Sequence, residues 1–205
     1  LCSIINVLLF FGFKQKDKVW LACDKQVTVG DRKTFLTNHH KIIAVPERPG
    51  VLIGSVGLLR GINLLETNNN YIDELAYLRD GIDYPYMVNV FPLLVNELYS
   101  AHGMISDEDH TLNLKNEFLV ATPESLFEVG WDGSVQESGN FAAIGSGAEL
   151  AIGCLSKYTK SDYTDKEVLD ILRSAVIASS YNVGCGGGGV IMNTAENKTY
   201  EFSFN

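Results

Sequence analysis

Two textures of apolar spacing alternate along the chain. Residues 4–13 and 19–24 are dense in β-branched and aromatic side chains, and the polar run 14–18 between them reads as a hairpin turn centred on Lys16. Shorter strand-like segments follow at 26–30, 34–36, 41–45 and 51–56, the last two parted by Pro46-Glu47-Arg48-Pro49-Gly50. Beyond Gly57 the spacing becomes helical, with Leu58, Leu59, Ile62, Leu65, Ile72, Leu75 and Leu78 on one face. A second helix is predicted over 84–101, kinked at Pro92.

Strand character returns at 117–121, 125–129, 134–137 and 141–144, with an Asp132-Gly133 turn. Helices are then expected over 148–158 and 165–181, the latter capped by Thr164 or Asp165, and a hairpin over 189–193 and 199–204 closes the chain. The order strands, two helices, strands, two helices, strands fits neither a doubly wound parallel sheet nor an all-β protein. It predicts an α+β fold, a four-layer αββα sandwich of two mostly antiparallel sheets flanked by helix pairs. No repeat divides it, so residues 1–205 read as a single domain.

Composition narrows the function classes. A 205-residue chain that is 46% hydrophobic and 20% charged is ordinary globular material. The formal charge of −9, with no block of Lys or Arg, argues against a nucleic-acid partner. Cys2, Cys23, Cys154 and Cys185 form no paired spacing, which predicts neither a zinc site nor a disulfide framework and points to a reducing, cytoplasmic setting. The apolar start lacks a basic leader and a cleavage site and is too short to span a bilayer, so no membrane association is expected. His39, His40, His102 and His110 make no ligand set, and Asp107, Glu108 and Asp109 read as a solvated loop; no metal or cofactor is expected.

Three stretches belong together: Leu21-Ala22-Cys23-Asp24-Lys25-Gln26-Val27-Thr28-Val29-Gly30, Asn38-His39-His40-Lys41-Ile42 and Ala143-Ile144-Gly145-Ser146-Gly147. In order and spacing they resemble the proteasome β-subunits and bacterial proteasome-type ring proteases, which are N-terminal-nucleophile (Ntn) hydrolases. The resemblance implies a threonine-type peptidase fold, a homo-oligomeric ring and a peptide or unfolded-protein substrate, and leaves open whether there is an ATPase partner. It also implies roles: Lys41 as the ammonium that lowers the nucleophile's pKa, Asp24 as the carboxylate that keeps Lys41 charged, and Ser146 as a supporting hydroxyl. Gly145 and Gly147 would supply oxyanion-binding N–H groups. Read singly, each has a plainer explanation: a turn cap, a solvated lysine, a helix cap.

The nucleophile breaks the resemblance. A hairpin centred on Lys16 sets Leu8 opposite Asp24, and an ungapped match puts the family's N-terminal threonine at that same leucine. Cys2 is the alternative, freed as an N-terminal residue if Leu1 stands where an initiator methionine is removed, but it lies about 20 Å of extended chain away. Three readings follow: a peptidase, an inactive ring-forming or peptide-binding subunit, and a Cys2-dependent amidase. Active relatives also carry an aspartate and a serine before a Gly-Gly pair. Alignment on Gly187-Gly188 puts valine and glycine there, with Asn182 or Ser180 as partial substitutes.

Overall fold

The polar run after residue 13 does close a hairpin, but one with an even loop. In a computed structural model of the chain, which describes residues 5–7, 9–36, 41–45, 48–68, 81–105 and 112–204, strand β2 (Phe10–Gln15) returns as β3 (Lys18–Asp24) with only Lys16 and Asp17 between them. The pairs run from Gln15↔Lys18 to Phe10↔Cys23. A two-residue loop has no central residue, so the axis falls between Lys16 and Asp17. One further step places Leu9, and not Leu8, against Asp24.

The apolar run predicted as one strand over 4–13 is two strands in two sheets. Strand β1 (Ile5–Val7) pairs with β4 (Gln26–Val29) and β7 (Leu52–Leu58), whereas β2 joins β3 and β11 (Phe141–Ile144). The larger sheet runs β10-β9-β8-β7-β1-β4-β5, where β5 is Arg32–Phe35, β8 Asn116–Ala121, β9 Leu126–Val129 and β10 Val135–Ser138. Strand β6 (Ile42–Ala44) pairs with Leu52–Gly54, on β7. The smaller sheet runs β11-β2-β3-β12-β13, with β12 at Gly189–Asn193 and β13 at Glu196–Phe202. Every described pairing is antiparallel.

The period-2 alternation of β2 and β3 sends side chains two ways. Phe10, Val19, Leu21 and Cys23 join Ile53, Phe118, Leu119 and Leu126 of the larger sheet in one core. Phe11, Phe13, Trp20 and Ala22 join a second core with α4 (Ala148–Leu155) and α5 (Asp165–Ser179). Glycines set how closely the sheets meet. A Cβ at Gly54 would lie 2.3 Å from the Phe10 ring, and one at Gly12 2.7 Å from both Leu126 methyls.

Helix α1 (Leu59–Thr67) follows β7 directly and buries Ile62, Leu64 and Leu65. The single kinked helix predicted over 84–101 is two helices, α2 (Tyr84–Asn89) and α3 (Phe91–Ala101). Pro92 lies in the first turn of α3, where no intrahelical N–H is required, so it starts a helix there and kinks none. Thr164 caps α5 in a reciprocal box with Glu167. Among the described residues no helix is long and apolar enough to cross a membrane.

Candidate active site

Asp24 ends β3 as the last residue paired with β12, opposite Gly189. Its carboxylate is fully buried yet well partnered: Oδ2 accepts from the N–H groups of Gln26 (3.1 Å) and Gly186 (2.9 Å), and Oδ1 from Lys41 Nζ at 2.6 Å. Lys41, just before β6, is 1% exposed, and its Nζ also donates to the Gln26 carbonyl at 2.6 Å. The sequence-predicted pair is therefore assembled. Its hydrogen bonds offset the desolvation that a buried ion pair otherwise suffers. Burial pushes the Asp24 carboxyl up from its ordinary value, while Lys41 and the two N–H donors oppose that shift.

The Gly145-Ser146-Gly147 turn enters α4, with Gly145 at φ 91°, a conformation glycine adopts without a Cβ clash. Ser146 Oγ donates to Asn182 Oδ1 at 3.3 Å and lies 4.0 Å from Cys185 Sγ, while Asn182 Nδ2 donates back to the Ser146 carbonyl at 2.8 Å. These contacts correct the alignment on Gly187-Gly188. Asn182 and Cys185, which precede Gly186-Gly187, both reach Ser146. The asparagine–cysteine pair thus takes the positions where the family pattern has aspartate and serine. Four consecutive glycines offered several frames, and only the spacing of Asn182 from Cys185 could have selected this one.

Cys185 links the two halves. Burial pushes its thiol up to about 11, and the charges of Asp24 and Lys41 both reach it, with opposite sign. The loop that carries it is tied to the strand end through Lys25 N–H to the Gly186 carbonyl and Gln26 Nε2 to the Val183 carbonyl. Gly147 is hemmed by three side chains: a Cβ there would be 2.8 Å from Cys185 Sγ, 3.0 Å from Leu9 Cδ1 and 3.2 Å from Ser179 Cβ. Leu9 is fully buried. An apolar side chain thus packs against the Ser146 turn.

Cys2 and Leu8 lie outside the described residues, as do Asn38, His39 and His40. Ile5, three residues after Cys2, pairs with Val29 at the end of β4 remote from Asp24. Among the described residues no cluster of His, Cys, Asp or Glu could hold a metal ion.

Residues 119–195, which include Ser146, Asn182 and Cys185, match the proteasome subunit family. Over 64 residues the chain is 36% identical to proteasome subunit beta 1 of Nitrosopumilus maritimus, a stretch covering 31% of this chain and 32% of that relative. The match thus spans about a third of the curated relative's length. Two solved structures of Thiobacillus denitrificans BPH share the fold. The complex with epoxomicin superposes with a TM-score of 0.66 at 20% identity, covering 90% of this chain and 97% of BPH. BPH alone gives 0.65 at 21%, covering 90% and 96%.

Proposed function

We propose that this chain is a catalytically silent proteasome-type subunit, a single αββα Ntn-hydrolase domain that keeps the architecture and the Asp24–Lys41 pair but, among the described residues, has an apolar side chain beside the Ser146 turn and no N-terminal nucleophile there. The observation that carries this reading is Leu9. It is fully buried, its Cδ1 would meet a Cβ on Gly147 at 3.0 Å, and it directly precedes the Phe10↔Cys23 pair, so one step beyond the β2–β3 register brings it toward Asp24. The chain also continues upstream of it into β1, so no α-amine is available there to act as a base. In this reading the buried pair is architectural: it joins β3, the start of β6 and the Gly186 loop. Ring assembly with further copies of the chain is part of the proposal and is supported by the match of residues 119–195 to the proteasome subunit family.

The peptidase reading keeps one observation on its side, an intact Asp24–Lys41 ion pair at 2.6 Å. Epoxomicin, bound in the BPH complex, is the probe that separates the two. The folded oligomer, confirmed by sedimentation, is incubated with epoxomicin and with fluorogenic peptides, and its intact mass is measured. The silent reading expects unchanged mass and no turnover. A stoichiometric adduct, mapped to Cys2 or to any other residue, would establish a nucleophile and defeat it.

A further inference from the structure

We propose that a pocket at the end of β12 remote from Asp24 is a binding site for a small neutral molecule that carries a carbonyl on an apolar body. The site stands whether or not the subunit turns over any peptide.

The pocket encloses about 450 Å³ between two tight connections, the one from β6 to β7 and the β12–β13 hairpin. Small-molecule sites commonly span about 300–1,000 Å³. Asn193 pairs with Trp20, while Gly189 at the other end of β12 pairs with Asp24. Four residues of strand, about 13 Å, therefore part the pocket from the Asp24–Lys41 pair.

Hydrogen bonds fix both walls. In the first connection the Val45 N–H donates to the Val51 carbonyl at 3.1 Å, and the Val51 N–H to the Arg48 carbonyl at 3.0 Å. In the second, Asn193 Oδ1 accepts from the N–H groups of Ala195 and Glu196, both at 2.9 Å. Thr194 is tied to β3, because its N–H donates to the Val19 carbonyl and its Oγ1 accepts from the Val19 N–H, both at 3.0 Å. The two connections meet at Gly50, where φ is 92° and a Cβ would lie 3.1 Å from the Thr194 carbonyl oxygen. The space is thus preformed.

Its lining selects the ligand. Val45, Pro49, Val51 and Leu52 supply apolar surface. Asn193 is 1% exposed, and its Nδ2 has no hydrogen-bond partner. The two N–H groups held by Oδ1 fix which end of the amide is which, so the unmet atom is a donor. An aspartate, which only accepts, would close the same turn and leave no donor unmet. The asparagine therefore asks the ligand for an acceptor. Among the described residues that line the pocket, Glu196 is the one charged side chain, and it accepts from the Tyr200 hydroxyl at 2.9 Å. With a carboxylate at the pocket and no cation to answer a second one, an anionic ligand is disfavoured. The acceptor is a neutral carbonyl, as in an amide or a ketone.

Isovaleramide and isovalerate, which share one shape and differ in charge, are the probes. Each is titrated into the full chain at neutral pH and followed by methyl-resolved NMR. The amide should shift the methyl signals of Val45, Val51 and Leu52 saturably with a Kd on the order of 1 mM, and the carboxylate should bind at least tenfold more weakly. Asn193→Asp keeps the oxygen that closes the hairpin and removes the donor, so it should weaken the amide at least tenfold. Shifts that never saturate, equal affinity for the two probes, or unchanged amide affinity in the folded variant would overturn the proposal. Should Asn193→Asp not fold, the ranking of the two probes on wild type decides.

Discussion

Replacing Lys41 with methionine tests the buried pair directly. Methionine keeps the apolar stem and fills much the same volume, but it leaves Asp24 with no counter-charge and the Gln26 carbonyl without the Nζ donor. Both side chains are at or below 1% exposure, so water does not screen the loss. Removing one partner of such a pair costs about 3–5 kcal/mol, which for a domain of this size lowers the melting temperature by about 6–20 °C. The loss depends on pH with a definite sign. In wild type, burial raises the Asp24 carboxyl above 3.8 against the opposition of Lys41. Without Lys41 the folded-state pKa rises further, and the folded variant binds the proton more tightly than the unfolded chain does. Stability is thus recovered as pH falls through the raised value toward 3.8 and is lost as pH rises through it. Urea unfolding at about pH 7.5 and about pH 5.5, followed by the fluorescence of buried Trp20, should show the larger deficit at the higher pH. Adding Asp24→Asn, whose amide oxygen still accepts from Gln26 and Gly186, should restore more than half of the loss in a double-mutant cycle. A deficit below about 1 kcal/mol, or one that grows on acidification, would refute the reasoning.

Three further outcomes are expected. Gly54→Ala drives a methyl to 2.3 Å from the Phe10 ring and should destabilise by about 1–3 kcal/mol in urea, whereas an unchanged midpoint would mean the sheets part readily. In native protein at about pH 8, iodoacetamide should modify half-buried Cys154 and spare Cys23 and Cys185, whose thiols burial pushes up to about 12 and about 11, until urea is added; peptide mass mapping reads this, and labelling of native Cys185 as fast as Cys154 contradicts it. Thr164→Ala breaks the reciprocal cap with Glu167 and should cost about 1 kcal/mol by thermal melting, with no change at the site; a loss of several would give Thr164 a role beyond the cap.

The elements were largely legible because their signals are local. Thr164 or Asp165 before an apolar periodic run marks a helix start, Asp132-Gly133 a turn, and the spacing of Val168, Ile171, Leu172, Ala175 and Val176 a buried helix face. Asp24, Lys41 and Ser146 were legible as a set only through resemblance, since nothing local makes Lys41 a buried residue. Two things stayed hidden for physical reasons. The nearly continuous apolar run from 4 to 13 looks the same whether the chain stays in one sheet or crosses to another, because β2 is buried on both faces and shows no alternation to mark where it begins. The hairpin axis depends on whether its loop has an odd or even number of residues, and five polar residues allow either. That one-residue difference decides whether Leu8 or Leu9 faces Asp24, and with it which side chain fills the site.

The fit of Phe10 over Gly54 and of Leu126 over Gly12 has a mechanical consequence. Each is a peg in a notch, and the two point in opposite directions, one from each sheet. Sliding the sheets by a single residue, about 3.4 Å along a strand, would drive both pegs against neighbouring side chains at once. The interface therefore resists shear far more than its apolar area alone would provide, and the sheets should separate by peeling before they slip.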